Sequence, residues 1–153
     1  MNEKLMPELF IRNTVDVNAP VTAVWKVLTD NKFIPQYMFN CVVETDWKPG
    51  SPLLWKGAAD GKLYVKGQIV SFDAPRSLVY TIIDPNNPAI PDIPENYLTV
   101  TNTITTQGAN ASTLEMKLGD YSKVANGQQR YDESSGAGDF ILQTIKKLAE
   151  AQA

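Results

Sequence analysis

The middle of this chain is written in period two, and that leaves few folds open. From residue 41 to 121 apolar and polar positions alternate in short runs separated by turn signals, the pattern of strands with one covered face. The spacing predicts strands over 41–47, 52–57, 63–72, 77–84, 97–106 and 111–121. Lys48-Pro49-Gly50, Asp60-Gly61 and Asp73-Ala74-Pro75-Arg76 separate the first four. Asp-Gly is a strong hairpin signal. Four prolines between residues 85 and 96 mark a loop. Residues 107–110 turn the last two strands into a hairpin.

The ends of the chain change period. Residues 8–17 read as one more strand, with Leu9, Ile11, Asn13, Val15 and Val17 on one face. Asn18-Ala19-Pro20 stops that strand and opens a helix, Asn18 being a good cap and proline being tolerated in a first turn. Val21, Val24, Trp25 and Leu28 then follow at helical spacing. Asp30-Asn31 breaks the helix, and a short second one holds Phe33 and Ile34 with Pro35 in its first turn. At the far end, residues 128–151 read as one long helix with Ala137, Ile141, Ile145 and Leu148 on a stripe flanked by Phe140 and Leu142. Strand, two helices, a run of strands and a long helix make an α+β arrangement with the helices on one side of the sheet.

Composition closes off several functions. A length of 153 residues suits one domain with a core that needs neither disulfide nor metal. The net charge of −3, with Lys146-Lys147 as the longest basic run, argues against nucleic acid as a partner. With no histidine and one cysteine, the chain cannot build a Ser-His-Asp triad, a Cys-His pair or a histidine-ligated metal site. Cys41 between apolar neighbours reads as a packing residue. No phosphate loop or metal cluster is visible, and no cofactor is expected. No N-terminal stretch resembles a signal peptide and no apolar run spans a membrane. A cytoplasmic location is the expectation.

Three stretches resemble the SRPBCC superfamily, the START-like and Bet v-like helix-grip proteins, and within it the AHSA-type branch, named for the activator of the ninety-kilodalton heat-shock protein ATPase. They are Val17-Asn18-Ala19-Pro20 with Val24-Trp25 and Leu28-Thr29-Asp30, then Gly67-Gln68-Ile69 with Phe72-Asp73-Ala74-Pro75-Arg76 and Leu78-Val79-Tyr80-Thr81. The third is Pro94-Glu95-Asn96-Tyr97 followed by Thr113-Leu114-Glu115-Met116. As scaffold, Pro20 sets the helix entry, Asp73 and Pro75 shape a turn through a carboxylate bond to nearby amides, and Glu95 orders a loop. The resemblance implies a curved antiparallel sheet wrapped around a long C-terminal helix, with ligands held between them. One departure stands out. Such domains usually carry a Gly-Trp pair in that helix, and here Gly138 precedes Asp139. Either Phe140 swings in to replace the indole or the space under the helix is larger.

In that fold the inward side chains by period two are Asn13, Trp55, Tyr80, Ile82, Val100, Asn102, Met116 and Leu118. Tyr37, Met38, Tyr131, Phe140 and Ile141 join them from the helices. Most would be core in any globular protein. Asn13, Tyr80 and Asn102 are more telling, because a buried polar group needs a partner and a ligand can supply one. The small residues of 134–138 predict a mouth at which the helix moves as a gate. The first functional expectation is binding of a small apolar or lipid-like molecule, regulatory or stress-related. The second is a protein-interaction domain with a chaperone partner, although co-chaperones of this kind carry an additional N-terminal domain for which this sequence has no room. The third is a cyclase-like enzyme using Tyr80 with Asp120 or Asp139, two carboxylates that the pattern places in solvent.

Overall fold

In the computed structural model, which describes residues 8–152, seven strands form one curved antiparallel sheet. They are β1 (Ile11–Val17), β2 (Cys41–Glu44), β3 (Pro52–Gly57), β4 (Leu63–Asp73), β5 (Ser77–Ile82), β6 (Leu98–Gly108) and β7 (Ala111–Gly119). Their order is β1-β7-β6-β5-β4-β3-β2. The first strand therefore pairs with the last, Asn13 opposite Met116, and every other pairing joins strands that follow each other in sequence.

The sheet bends where its ladders are interrupted. Register shifts fall between Trp55 and Lys56 on β3 and between Ile69 and Ser71 on β4, and bulges of this kind bend the strand that carries them. Gly67 lies on the same stretch of β4, and a Cβ there would overlap the Thr81 carbonyl of β5. The glycine is required by the close approach of two backbones.

Between β1 and β2 lie α1 (Val21–Thr29) and α2 (Ile34–Tyr37, with Pro35 in its first turn). Asn18 does not cap α1. Pro20 takes the cap position, and its carbonyl accepts from Ala23 N–H at 3.0 Å. The buried face of α1 is Ala23, Val24, Val27 and Leu28. Trp25 lies at its rim and meets the Phe72 ring edge-on at 5.1 Å. The turn after β4 closes through backbone rather than through the Asp73 carboxylate, Arg76 N–H donating to the Asp73 carbonyl at 2.8 Å. In the proline loop Glu95 is exposed, and Asn96 does the ordering. Asn96 is buried, its Nδ2 donates to Pro91 O at 2.9 Å, and its Oδ1 accepts from Ala125 N–H at 2.9 Å.

The C-terminal segment is two helices rather than one. α3 (Gly127–Ser134) is polar all round and buries no residue, whereas α4 (Ala137–Glu150) buries Ile141, Leu142, Ile145 and Ala149. Ser135 and Gly136 interrupt them, a pair of poor helix formers at a point where α3 packs beside the turn at Tyr121–Lys123 and α4 packs on β1, α1 and α2. The far end of α4 is fastened to the first corner of the chain. Lys146 Nζ donates to Asp16 O at 2.9 Å and to Glu150 Oε2 at 2.6 Å, and that carboxylate also accepts from Asn18 N–H at 2.8 Å.

The core lies between α1, α4 and the concave face of the sheet. Ile145 is fully buried there, whereas Phe140 is 53% exposed. Ile145→Ala is expected to lower unfolding free energy by about 2–5 kcal/mol, and Phe140→Ala by less than about 1 kcal/mol. Urea unfolding of the two variants against the parent measures both.

Candidate ligand cavity

The first turn of α4 carries the small residues Ala137 and Gly138, and helix and sheet do not close on each other there. Between them lies an open cavity of about 700 Å3. Ile11 and Asn13 of β1, Met116 and Leu118 of β7, Val100 of β6, and Tyr80 and Ile82 of β5 make its back wall. Trp55 and Gly57 of β3 continue it, α4 roofs it with Ala137, Gly138 and Ile141, and Met38 to Cys41 form one flank. The turn from Ala59 to Asp60, with Tyr64 and Val65 of β4, forms another side, and Glu133 and Ser134 of α3 reach it from the remaining one.

Of the residues singled out from the sequence, Asn13, Met38, Trp55, Tyr80, Ile82, Met116, Leu118 and Ile141 line this space, as does Val100. Four do not. Phe140 is absent from the lining, half in solvent, and stacks on the still more exposed Phe39 with ring centroids 5.9 Å apart. It therefore does not fill the place of the absent indole, and the space under the helix is the larger one. Tyr37 is buried beyond the cavity floor, its hydroxyl donating to Leu28 O at 3.2 Å. Asn102 is buried at the same depth, its Nδ2 donating to Leu78 O at 3.3 Å. Tyr131 belongs to α3 and meets Tyr121 edge-on at 5.6 Å, in a separate small cluster with Ile11 and Leu98.

The carboxylates considered as bases also lie elsewhere. Asp120 Oδ1 accepts from Leu9 N–H at 2.8 Å and Ser122 N–H at 2.9 Å, a corner contact rather than a solvated group. Asp139 is exposed in the first turn of α4.

The residues that the alternation missed stand at the mouth. Cys41 reaches the cavity from the start of β2, opposite Gly57. Asp60 and Tyr64 reach it from the β3–β4 hairpin, where the register shift after Trp55 breaks the period and Tyr64 and its neighbour Val65 both line it. The Tyr64 hydroxyl donates to Asp60 Oδ2 at 2.5 Å, and Lys62 N–H donates to Oδ1 at 3.0 Å. These bonds hold the Asp60 carboxyl below its ordinary range. Burial first, and then the Asp60 charge, raise the Cys41 thiol, which stays protonated at neutral pH. Ser134, Ala137 and Gly138 are in the lining, and the only sequence signal for them was their small size.

The two glycines of this tract differ. Gly136 has φ −93°, open to alanine, and nothing surrounds the place of its Cβ. At Gly138 a Cβ would overlap Asn13 Oδ1. Gly136→Ala is expected to stabilise the fold by about 0.4–1 kcal/mol. Gly138→Ala loses that gain by displacing the Asn13 amide, and Asn13→Ala in the same chain restores it. Urea midpoints of the three variants decide.

The floor of the cavity is aromatic. Trp55 and Tyr80 pack with ring centroids 5.9 Å apart, and burial pushes the Tyr80 hydroxyl up to about 12, with the adjacent Asn102 amide partly offsetting the rise. Burial, and then the Tyr80 charge, raise Tyr37 as well. Folding thus favours the protonated phenols. The stability they contribute is whole below the unfolded value near 10 and is lost as pH rises from there through about 12. Tyr80→Phe is expected to soften the fall of the urea midpoint over that alkaline range, with Tyr37 supplying what remains.

Comparison with known proteins agrees with this fold. The family described as activator of Hsp90 ATPase homolog 1-like protein matches residues 18–150. The chain belongs to this family. A solution structure from Cytophaga hutchinsonii is similar at 32% identity and a TM-score of 0.73, over 97% of this chain and 98% of that one. An Hsp90 activator from Plasmodium falciparum is similar at 14% identity and a TM-score of 0.66, over 92% of this chain and 95% of that one. A protein of the dynemicin biosynthetic locus is similar at 18% identity and a TM-score of 0.71, over 95% of this chain and 49% of that one. The last two likenesses are of fold. No curated protein matches the chain. No helix among the described residues is long and apolar enough to cross a membrane.

Proposed function

We propose that this AHSA1-family chain binds a small, largely apolar molecule between its sheet and α4. The observation that carries the reading is the cavity itself. About 700 Å3 lies open against side chains that are mostly aliphatic or aromatic. Protein interiors are packed like organic crystals, and ligand sites typically measure about 300–1,000 Å3. A space of this size survives because the position after Gly138 carries an aspartate and Phe140 turns outward. The likeness to a protein of a biosynthetic locus is in keeping with a small-molecule role.

A hydrophobic fluorescent dye is expected to bind the protein at one site and to quench Trp55, whose ring lines the space. Leu118→Trp fills the back wall, and it weakens dye binding by at least about tenfold while the chain still folds. A parent protein that binds no dye, or a folded Leu118→Trp chain that binds it unchanged, defeats the reading.

The family description and the Plasmodium falciparum relative favour a second reading, in which the chain modulates a chaperone ATPase. It is tested by adding the protein to Hsp90 and following ATP hydrolysis. Stimulation by the Leu118→Trp chain as well as by the parent would separate that role from the cavity.

A further inference from the structure

Beneath the cavity floor lies a second, much smaller space of about 10 Å3. That is about the volume one water-sized group occupies. Trp55, Tyr80 and Met116 belong to both linings, so these three side chains face both spaces. Met116 is the adaptable member, an unbranched side chain with several rotatable bonds.

Two polar atoms of residues that line this small space have no hydrogen-bond partner among the described residues. They are Trp55 Nε1 and Asn102 Oδ1. Trp55 is 7% exposed and Asn102 1%. The indole N–H is a donor only, and the amide oxygen is an acceptor only. Leaving both unmade in an apolar interior is expensive. The nearby polar groups do not satisfy them. Tyr37 is engaged with Leu28 O, the Asn102 Nδ2 with Leu78 O, and the Tyr80 hydroxyl lies beside the Asn102 amide while Asn102 Oδ1 stays without a partner.

A group that fits must be about one heavy atom in size, must accept from the indole and must donate to the amide oxygen. A hydroxyl does all three. An ether or ketone oxygen accepts and leaves Asn102 Oδ1 unmet. An ammonium donates and leaves Trp55 N–H facing a cation. A carboxylate brings a buried charge against an amide oxygen. The wider cavity does not compensate for that charge. The charged residues in its lining are Asp60 and Glu133, both acidic, and among the described residues no lysine or arginine lines it.

We infer that the small space between Trp55 and Asn102 is a hydroxyl subsite, and that the ligand of the cavity is a neutral alcohol with an apolar body. The inference rests on the cavity-binding reading above and narrows it. The hydroxyl oxygen accepts from Trp55 Nε1–H, its proton goes to Asn102 Oδ1, and the hydrocarbon lies back past Met116 into the cavity. A water molecule meets the same two atoms when the ligand has no hydroxyl, so the two sources share one chemistry and differ in what they do for affinity.

The test is displacement of the hydrophobic dye, read from the dye's own emission at neutral pH. The probes are decanol, decyl methyl ether, decylamine and sodium decanoate. Decanol is expected to displace the dye at a concentration at least about tenfold lower than decanoate and about fivefold lower than the ether. Trp55→Phe and Asn102→Leu each reduce the decanol-over-ether preference, taken as a ratio within each variant, to less than about twofold. The wild-type series needs no substitution, and Trp55→Phe keeps an aromatic ring in place should Asn102→Leu not fold. Decanoate or decylamine binding as well as decanol, or a preference for decanol that survives in Trp55→Phe, overturns the hydroxyl subsite alone. Equal binding of the ether shows that the two polar atoms meet water only and overturns it too. A parent chain that binds neither dye nor any probe overturns the cavity reading, and the subsite with it.

Discussion

Gly138 lets the helix rest directly on the Asn13 amide of the sheet with no side chain of its own in the way, and the rest of the molecule is arranged around that approach. Farther along α4, Leu142, Ile145 and Ala149 pack into α1 and the sheet at ordinary core density. A flat sheet would have met the whole helix in the same way. This one curves, through its two interrupted ladders and the glycine that brings β4 against β5, so it leaves the helix again on the other side of Gly138. The open volume is what remains between a straight cylinder and a bent surface.

Much of this could be read from the residues because it rests on periodicity. Alternation on β1, β5, β6 and β7 placed Asn13, Tyr80, Val100, Met116 and Leu118 on one wall, since the side-chain period of a regular strand is two. The same rule failed on the β3–β4 hairpin, where a register shift puts Tyr64 and Val65 on the same space. Helical spacing gave the stripe of α4 but not the orientation of its edge. Phe140 sits at the boundary of that stripe, and which way it turns was decided by Phe39, a residue of a loop whose backbone at φ 52° no pattern announces. Tyr37 and Asn102 were placed inward correctly yet one layer too shallow, since period gives a side and never a depth. Asn18 looked like a helix cap and instead offers its backbone N–H to Glu150, a partner more than a hundred residues away in sequence.

The residues that carry the family resemblance and those that line the cavity are largely different sets. Pro20 and Trp25 set the first helix, Gly67 allows two strands to approach, and Asp73 to Arg76 turn a corner. None of them touches the cavity. Tyr80 and Met116 are the exceptions, each sitting in a family-like stretch and lining the cavity at once. Membership of the family therefore speaks for the frame, and the chemistry of the bound molecule has to be argued from Trp55, Asn102, Asp60 and their neighbours.

The contacts at the two ends of α4 are of unequal strength, and this has a mechanical meaning. At the C-terminal end Lys146 and Glu150 fasten the helix to Asp16 and Asn18 by two short charge-assisted bonds and are themselves paired by a third. At the N-terminal end it is held by a two-residue break at Ser135 and Gly136 and by one exposed pair of stacked rings. A rod clamped at one end and lightly propped at the other is a cantilever. Displacing such a rod over the core would open packed side chains to water. Displacing it over the cavity would part the stack of Phe39 on Phe140, two rings already more than half exposed.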